Sequence, residues 1–183
     1  IRDRDKDTSG LMVISKTESS YLSLVEQLKE RSVTRTYLAM VVGAPVINKT
    51  INEPIGRHPK IRTKQAVNQN GKEAITRFSI FENLDGYSLL KVNLETGRTH
   101  QIRVHLSHIG YPIIGDPLYG NRNKFSRGSS EELKKIISNF KRQALHAEEL
   151  QLNHPASGEL LSFKASMPSD MQTLLNQIKV NGS

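Results

Sequence analysis

Cysteine and tryptophan are both missing from this 183-residue sequence. Without cysteine there is no disulfide framework and no thiolate metal site. Without tryptophan, stacking on a planar ligand falls to five tyrosines and five phenylalanines. No apolar run approaches the roughly 20 residues of a membrane-spanning helix, and no secretory hydrophobic segment is present, so a soluble intracellular domain is expected. Acidic residues are scarce, 18 against 26 Lys and Arg, which leaves a formal net charge of +8. That excess favours polyanionic partners, nucleic acid first among them, although a basic ribosomal or membrane-surface protein would carry the same balance. The length suits one domain with a sizeable core.

What is present concentrates in residues 94–109, LETGRTHQIRVHLSHI. A strand runs into Gly97, and Ile102, Leu106 and Ile109 then recur at helical spacing before Gly110 and Pro112 stop the helix. Strand, turn and short helix therefore carry Arg98, Thr99, His100, Gln101, Arg103 and His105, a dense set of hydrogen-bond donors. The start of a helix presents unpaired N–H groups and a positive dipole end, which welcome a phosphate or a carboxylate. A solvated polar helix face would produce the same pattern.

Elsewhere the patterns alternate between strand and helix. Residues 2–7 alternate in charge and lead through Thr8-Ser9-Gly10 into Leu11-Met12-Val13-Ile14, which is expected to be a buried strand holding the preceding loop in place. Tyr21, Leu24, Val25 and Leu28 define an amphipathic helix after N-cap candidates at 17–20. Residues 36–42 read as a buried strand with Tyr37 at its entrance, and Arg57, His58, Lys60, Arg62 and Lys64 form a basic loop. Asn70-Gly71 predicts a hairpin and Asp85-Gly86 the next turn. Beyond the central motif, a turn is expected at Gly115-Asp116-Pro117, a helix over 131–139, a hairpin around 155–158 and a last helix carrying Met171, Leu174, Leu175 and Ile178. The fold class expected is α+β, a mostly antiparallel mixed sheet with flanking helices.

Four of these segments, taken in order, resemble the motifs of the RluA-type pseudouridine synthases. Asp5-Lys6-Asp7-Thr8-Ser9-Gly10-Leu11-Met12-Val13 with Lys16-Thr17 is similar to their active-site segment, and Arg35-Thr36-Tyr37-Leu38-Ala39 to their tyrosine motif. Residues 96–105, TGRTHQIRVH, resemble their arginine motif, continued by GYPIIGDPLYG at 110–120, and residues 142–147 resemble their late Leu-His-Ala strand. The stretches 52–59 and 141–147 look most like the bacterial large-subunit rRNA enzymes of the family. The chain departs from the family at Asp3-Arg4-Asp5, where His-Arg-Leu-Asp is usual: either Arg4 replaces the leucine or one residue is missing. The resemblance implies that residues 1–183 form the catalytic domain, without its N-terminal part and without an upstream S4-like RNA-binding domain.

The resemblance also implies roles. Asp5 would be the catalytic carboxylate, with Asp3 and Asp7 as local competitors that spacing alone does not exclude. Arg103 would be the cation that keeps a buried carboxylate ionised, since arginine does not deprotonate. Tyr37 would stack on an extruded uracil and assist proton removal from C5. Arg98, His100 and Gln101 are assigned to substrate or RNA, Leu145 to packing near the catalytic pair, and Arg57, Lys60, Arg62 and Lys64 to RNA phosphate. The implied partner is RNA, namely large-subunit rRNA or a pre-ribosomal particle, bound by a cytoplasmic monomer that needs no metal or organic cofactor and engages no membrane. Two rival readings are a histidine metal site from His100, His105, His108 and His146, and a non-catalytic RNA-binding or ribosome-assembly module.

Overall fold

Helix caps and β-branched runs place the elements where the sequence suggests, and the sheet then fixes what they carry. The computed structural model describes residues 5–120 and 125–181. Among these residues there are nine strands and four helices: β1 (Ser9–Gly10), α1 (Glu18–Lys29), β2 (Thr34–Val42), β3 (Lys49–Asn52), β4 (Ile55–Arg57), β5 (Gln65–Val67), β6 (Ile75–Asn83), β7 (Tyr87–Leu94), α2 (Gln101–His108), α3 (Glu131–Asn139), β8 (Leu145–Asn153), β9 (Leu160–Lys164) and α4 (Ser169–Asn181). Thr17 caps α1 by accepting from Ser20 N at 3.2 Å, and Ser130 caps α3 by accepting from Leu133 N at 3.1 Å. Each satisfies a backbone donor that the first turn leaves unpaired.

The main sheet runs β1-β8-β2-β7-β6-β3, with β9 also paired to β8, and β4 and β5 form a separate two-stranded ribbon. All pairings are antiparallel except β1 with β8, so the sheet is mixed and mostly antiparallel. In the centre, Ala39, Met40, Val41, Leu90 and Val92 are fully buried. Ile102 and Leu106 of α2, Leu133 and Ile137 of α3, and all four apolar positions named for α4 join the same core. Burying each such leucine or isoleucine is worth about 1.5–3 kcal/mol, enough to fix the register of short helices that are marginal in isolation. Among the described residues no helix is long and apolar enough to cross a membrane.

Two expectations fail here. Residues 11–14 are not a buried strand: β1 stops at Gly10, Met12 and Ile14 are 54% and 66% exposed, and only Leu11 and Val13 pack, against Leu24, Val33, Leu150 and Leu152. The apolar run thus buries alternate residues in irregular backbone on a small side cluster. Asn70-Gly71 does turn the chain, with Gly71 N donating to Asn68 O at 2.7 Å, but no hairpin results. The β5 strand before it pairs with β4, while β6 after it pairs with β3 and β7. Lys72 instead bridges back to Ile55. The Asp85-Gly86 turn does close the β6–β7 hairpin, with φ of 40° and 84°, the left-handed pair that a two-residue type I′ turn requires.

Candidate active site

The loop entering β1 is pinned before it reaches the sheet. Thr8 N donates to Asp5 O at 3.2 Å and Thr8 Oγ1 to Asp5 Oδ2 at 3.0 Å, so the loop closes on itself. Gln143, just ahead of β8, donates to Lys6 O at 2.6 Å, to Thr8 Oγ1 at 3.1 Å and to Asp5 Oδ1 at 3.5 Å. Arg142 forks onto Asp170 at 2.7 and 2.8 Å while also reaching Asp7 O at 3.4 Å. Gly10, with φ of 101°, allows β1 to lie against β8, because a Cβ there would collide with the Ala147 carbonyl.

The helix α2 supplies the cation. Arg103 is 3% exposed and lies in its first turn. Its Nε and Nη2 donate to the two oxygens of Asp116, each at 2.7 Å, and its Nη1 donates to Asp5 Oδ1. Asp116 is fully buried and also accepts from Leu118 N and Tyr119 N, both at 2.9 Å. Burial would raise the Asp116 carboxyl, but the Arg103 guanidinium and these two N–H groups outweigh it and hold the group below the usual carboxylate range. Burial likewise opposes the Arg103 charge, and Asp116 and Asp5 more than compensate. Two carboxylates thus share one buried guanidinium, an arrangement in which removing one partner costs about 3–5 kcal/mol.

A second set of contacts reaches the same carboxylate. His100 sits in the left-handed region with φ of 58° and places Nε2 at 3.6 Å from Asp5 Oδ1. Its Nδ1 is 2.8 Å from the Tyr119 hydroxyl, which accepts from Gln65 N at 2.9 Å. The Tyr119 ring lies under the Arg103 guanidinium, 5.0 Å from ring centroid to Cζ. The side chains of the α2 cap and first turn thus converge on a carboxylate of the chain itself.

His100 also lines a cleft of about 230 Å³ together with Tyr37, Arg35, Arg98, Thr99 and Ala147. A bulge in the β2–β8 pairing, between Thr36 and Tyr37, sits at this point and leaves Glu148 as the extra residue on β8. Asp5, Arg103 and His100 are thus brought together, with Tyr37 on the wall of the adjoining cleft. Asp7 is exposed, whereas Asp5 is largely buried on Arg103, which separates these competitors; Asp3 and Arg4 lie outside the described residues. Arg98 spends its Nε on Glu73 O at 2.8 Å and borders the cleft. Leu145 is 2% exposed in the main core, and its carbonyl receives Ser9 Oγ at 3.4 Å. Arg57, Lys60 and Arg62 are exposed and Lys64 half-buried, on or beside the loop joining β4 to β5; only Lys64 approaches the centre, with its amine 5.9 Å from the Tyr119 ring.

Gln101 has to be removed from the RNA-contacting set. Its side chain is 2% exposed, accepts from Thr96 Oγ1 and Arg98 N, and donates to Ile75 O and Thr76 Oγ1, which uses both ends to pin the turn before α2. The histidine metal site is also corrected. His105 is fully buried, lies between Thr76 Oγ1 and Glu53 O, and is pushed down by burial towards the neutral ring. His146 lies between Ser9 Oγ and Ala165 O. Among the described residues no group of three His, Cys, Asp or Glu side chains is placed to hold a metal. Sequence reasoning missed Asp116, Tyr119, Gln143 and Thr8. The first two lay inside the GDPLYG run, where an aspartate between glycine and proline reads as a turn residue.

A family model described as RNA pseudouridylate synthase matches residues 3–108. The chain is 48% identical over 175 residues to the ribosomal large subunit pseudouridine synthase D of Xanthomonas campestris pv. campestris, covering 96% of this chain and 53% of that protein. It is 45% identical over 177 residues to the protein of the same name from Escherichia coli K12, covering 97% and 54% respectively. The chain therefore spans about half the length of these curated relatives. Among solved structures, the human RNA pseudouridylate synthase domain containing 1 superposes with a TM-score of 0.71 at 28% identity, covering 90% of this chain and 67% of that one. The human domain containing 4 shares the fold, with a TM-score of 0.69 at 24% identity over 89% of this chain and 69% of that one.

Proposed function

This chain belongs to the RNA pseudouridylate synthase family, and from that premise we propose that it isomerises uridine to pseudouridine in bacterial large-subunit rRNA. The observation that carries the reading is a largely buried carboxylate, Asp5, ion-paired to Arg103 and placed beside a cleft walled by His100 and Tyr37. A pure binding module has no use for an anion buried next to its polyanionic ligand, since it repels what it is meant to hold.

The reaction breaks the bond between C1′ and N1, forms one between C1′ and C5, moves a proton from C5 to solvent and returns one to N1. Composition is unchanged, so neither oxidant nor reductant is consumed. Asp5 acts as nucleophile towards the sugar or base, or stabilises the charged fragment after cleavage. Arg103, aligned by Asp116, pairs with it and holds it in place. The uridine has to leave its stack to expose C1′ and C5, at about a few kcal/mol, least where the nucleotide is already looped. A cleft of about 230 Å³ admits one base and excludes a duplex. Tyr37 stacks on that base, and its hydroxyl assists the late removal of the C5 proton. The basic residues 57–64 hold the RNA backbone, and the enzyme acts as a cytoplasmic monomer.

The test is Asp5→Asn, nearly isosteric but without a nucleophilic carboxylate, assayed by mapping pseudouridine in large-subunit rRNA transcripts. Conversion should vanish while RNA affinity is retained. Asp7→Asn should retain conversion, because Asp7 is exposed and does not meet Arg103. Continued conversion by Asp5→Asn would overturn the assignment and leave the binding-module reading standing.

A further inference from the structure

Arg35 is a cation that pairs with no carboxylate among the described residues. Its Nη2 reaches only the backbone carbonyls of Leu94 and Glu95, both at 3.3 Å, and its buried Nε finds no acceptor among the described residues. A guanidinium left in that state is poorly compensated for the water it has lost. Gly97 lies directly over it: a Cβ on Gly97 would come within 2.7 Å of Arg35 Nη1. Arg35 and Arg98 line the Tyr37 cleft on one side of the turn at 97–99. On the other side lies a groove of about 430 Å³, lined by Arg57, Lys72 and Arg98 again.

None of these four cations makes an ion pair among the described residues, whereas Arg31, Arg77, Arg142, Lys134 and Lys179 all do. The nearby acids are committed elsewhere: Glu73 and Glu95 to Arg31 and Arg77, and Glu149 to Lys164 at 3.7 Å. The crest of the turn between the two cavities is low, with Gly97 and Thr99 both exposed, and Arg98 is anchored there through Glu73 O. The two cavities share the wall made by Gly97, Arg98 and Thr99, and both are lined by cations that make no ion pair among the described residues.

We propose that the RNA backbone crosses the Gly97–Thr99 turn, with one phosphodiester over Arg35 and Arg98 on the cleft side and a neighbouring one against Arg57 and Lys72 on the groove side. The inference rests on the RNA-isomerising reading above and adds a phosphodiester subsite that includes Arg35 and Lys72. It also accounts for the half-buried Arg35 having no acid beside it among the described residues: its counter-ion arrives with the substrate. The target base then enters the Tyr37 cleft while its backbone is held at the rim.

The test is a salt titration of affinity for a short oligouridylate. For single strands each neutralised phosphate contributes about 0.7 to the slope of log K against log salt, so Arg57→Ala/Lys72→Ala should lower the slope by about 1.4 and Arg35→Met by about 0.7. Arg57 and Lys72 are exposed, so their double variant stays informative even if Arg35→Met fails to fold. Lys135→Ala/Lys141→Ala, on and just after α3, should leave the slope unchanged. An unmoved slope in the groove variant, an equal drop in the α3 variant, or no binding of oligouridylate by the unmodified chain would overturn the proposal. Pseudouridine yield from rRNA, measured on the same proteins, separates the two readings. Conversion with an unmoved slope sinks the subsite alone, and the expected slopes without conversion sink the isomerase reading alone.

Discussion

Asp116→Asn is the substitution that tests how the site is held together. The native carboxylate accepts four hydrogen bonds: Arg103 Nε at one oxygen, and Arg103 Nη2, Leu118 N and Tyr119 N at the other. An asparagine with its oxygen at the second position keeps three and turns an NH₂ group towards Arg103 Nε, donor against donor. The loss is one charge-assisted bond and the charge that offsets a buried guanidinium, for an expected cost of about 3 kcal/mol; Asp116→Ala, which strips all four, should reach about 3–5 kcal/mol. Either is a large share of the roughly 5–15 kcal/mol that holds a domain folded. Urea denaturation measures it. The pH dependence gives a second handle. The Asp116 carboxyl is held below its ordinary 3.8, so its contribution is fully present above that value and disappears as pH falls through the folded-state value. The stability gap between the native chain and Asp116→Asn should be widest near neutrality and should close below pH 3.8. The Asp170 carboxyl, lowered by its Arg142 hydrogen bonds, titrates in both proteins and cancels. A gap that stays the same from neutral to strongly acid pH, or one under about 1 kcal/mol at neutrality, would show that Asp116 neither bears its charge nor braces Arg103 as described.

Tyr37→Phe keeps the ring on the cleft wall and removes the hydroxyl; it should bind RNA normally, open the glycosidic bond and stall before product release, which quenched-flow analysis of the RNA intermediate would detect. Native turnover in that variant would leave Tyr37 with stacking alone. Replacing Lys60, Arg62 and Lys64 with alanine should weaken RNA affinity and flatten its salt dependence by up to about one unit for each phosphate the loop no longer neutralises. An unchanged slope would make this loop solvated surface.

The fold was legible where one local signal sufficed. Ser130 ahead of Glu131 and Glu132 marked α3 to the residue, and the alternation of β7 followed by the turn and Ile102 marked the strand–turn–helix that carries Arg103. Local signals misled where tertiary pairing chose otherwise. Asn70-Gly71 has the chemistry of a hairpin, but β4 competes for β5 and wins, because the ribbon they form lies against α2 with Ile55, Ala74 and Val104 buried beneath it. In the site, the chemical types were readable but not their partners. Asp116 accepts from an arginine thirteen positions away, which no periodicity announces. Gln101 looked like a donor for substrate because glutamine in a polar motif usually faces water; here the need to satisfy Thr96, Ile75 and Thr76 claims it.

The same long-range logic ties Asp5 to the basic loop. Gln65 N opens β5 at the end of the basic loop and donates into the Tyr119 hydroxyl oxygen. His100 lies between Tyr119 and Asp5, with Nδ1 2.8 Å from that hydroxyl and Nε2 3.6 Å from Asp5 Oδ1. Tyr119 at the same time has the Arg103 guanidinium over its ring at 5.0 Å and the Lys64 amine at 5.9 Å. Burial holds the Tyr119 phenol above its ordinary value, so it stays protonated and able to donate through the neutral range. One phenol thus meets the basic loop through Lys64, the histidine at the cleft and the arginine on Asp5.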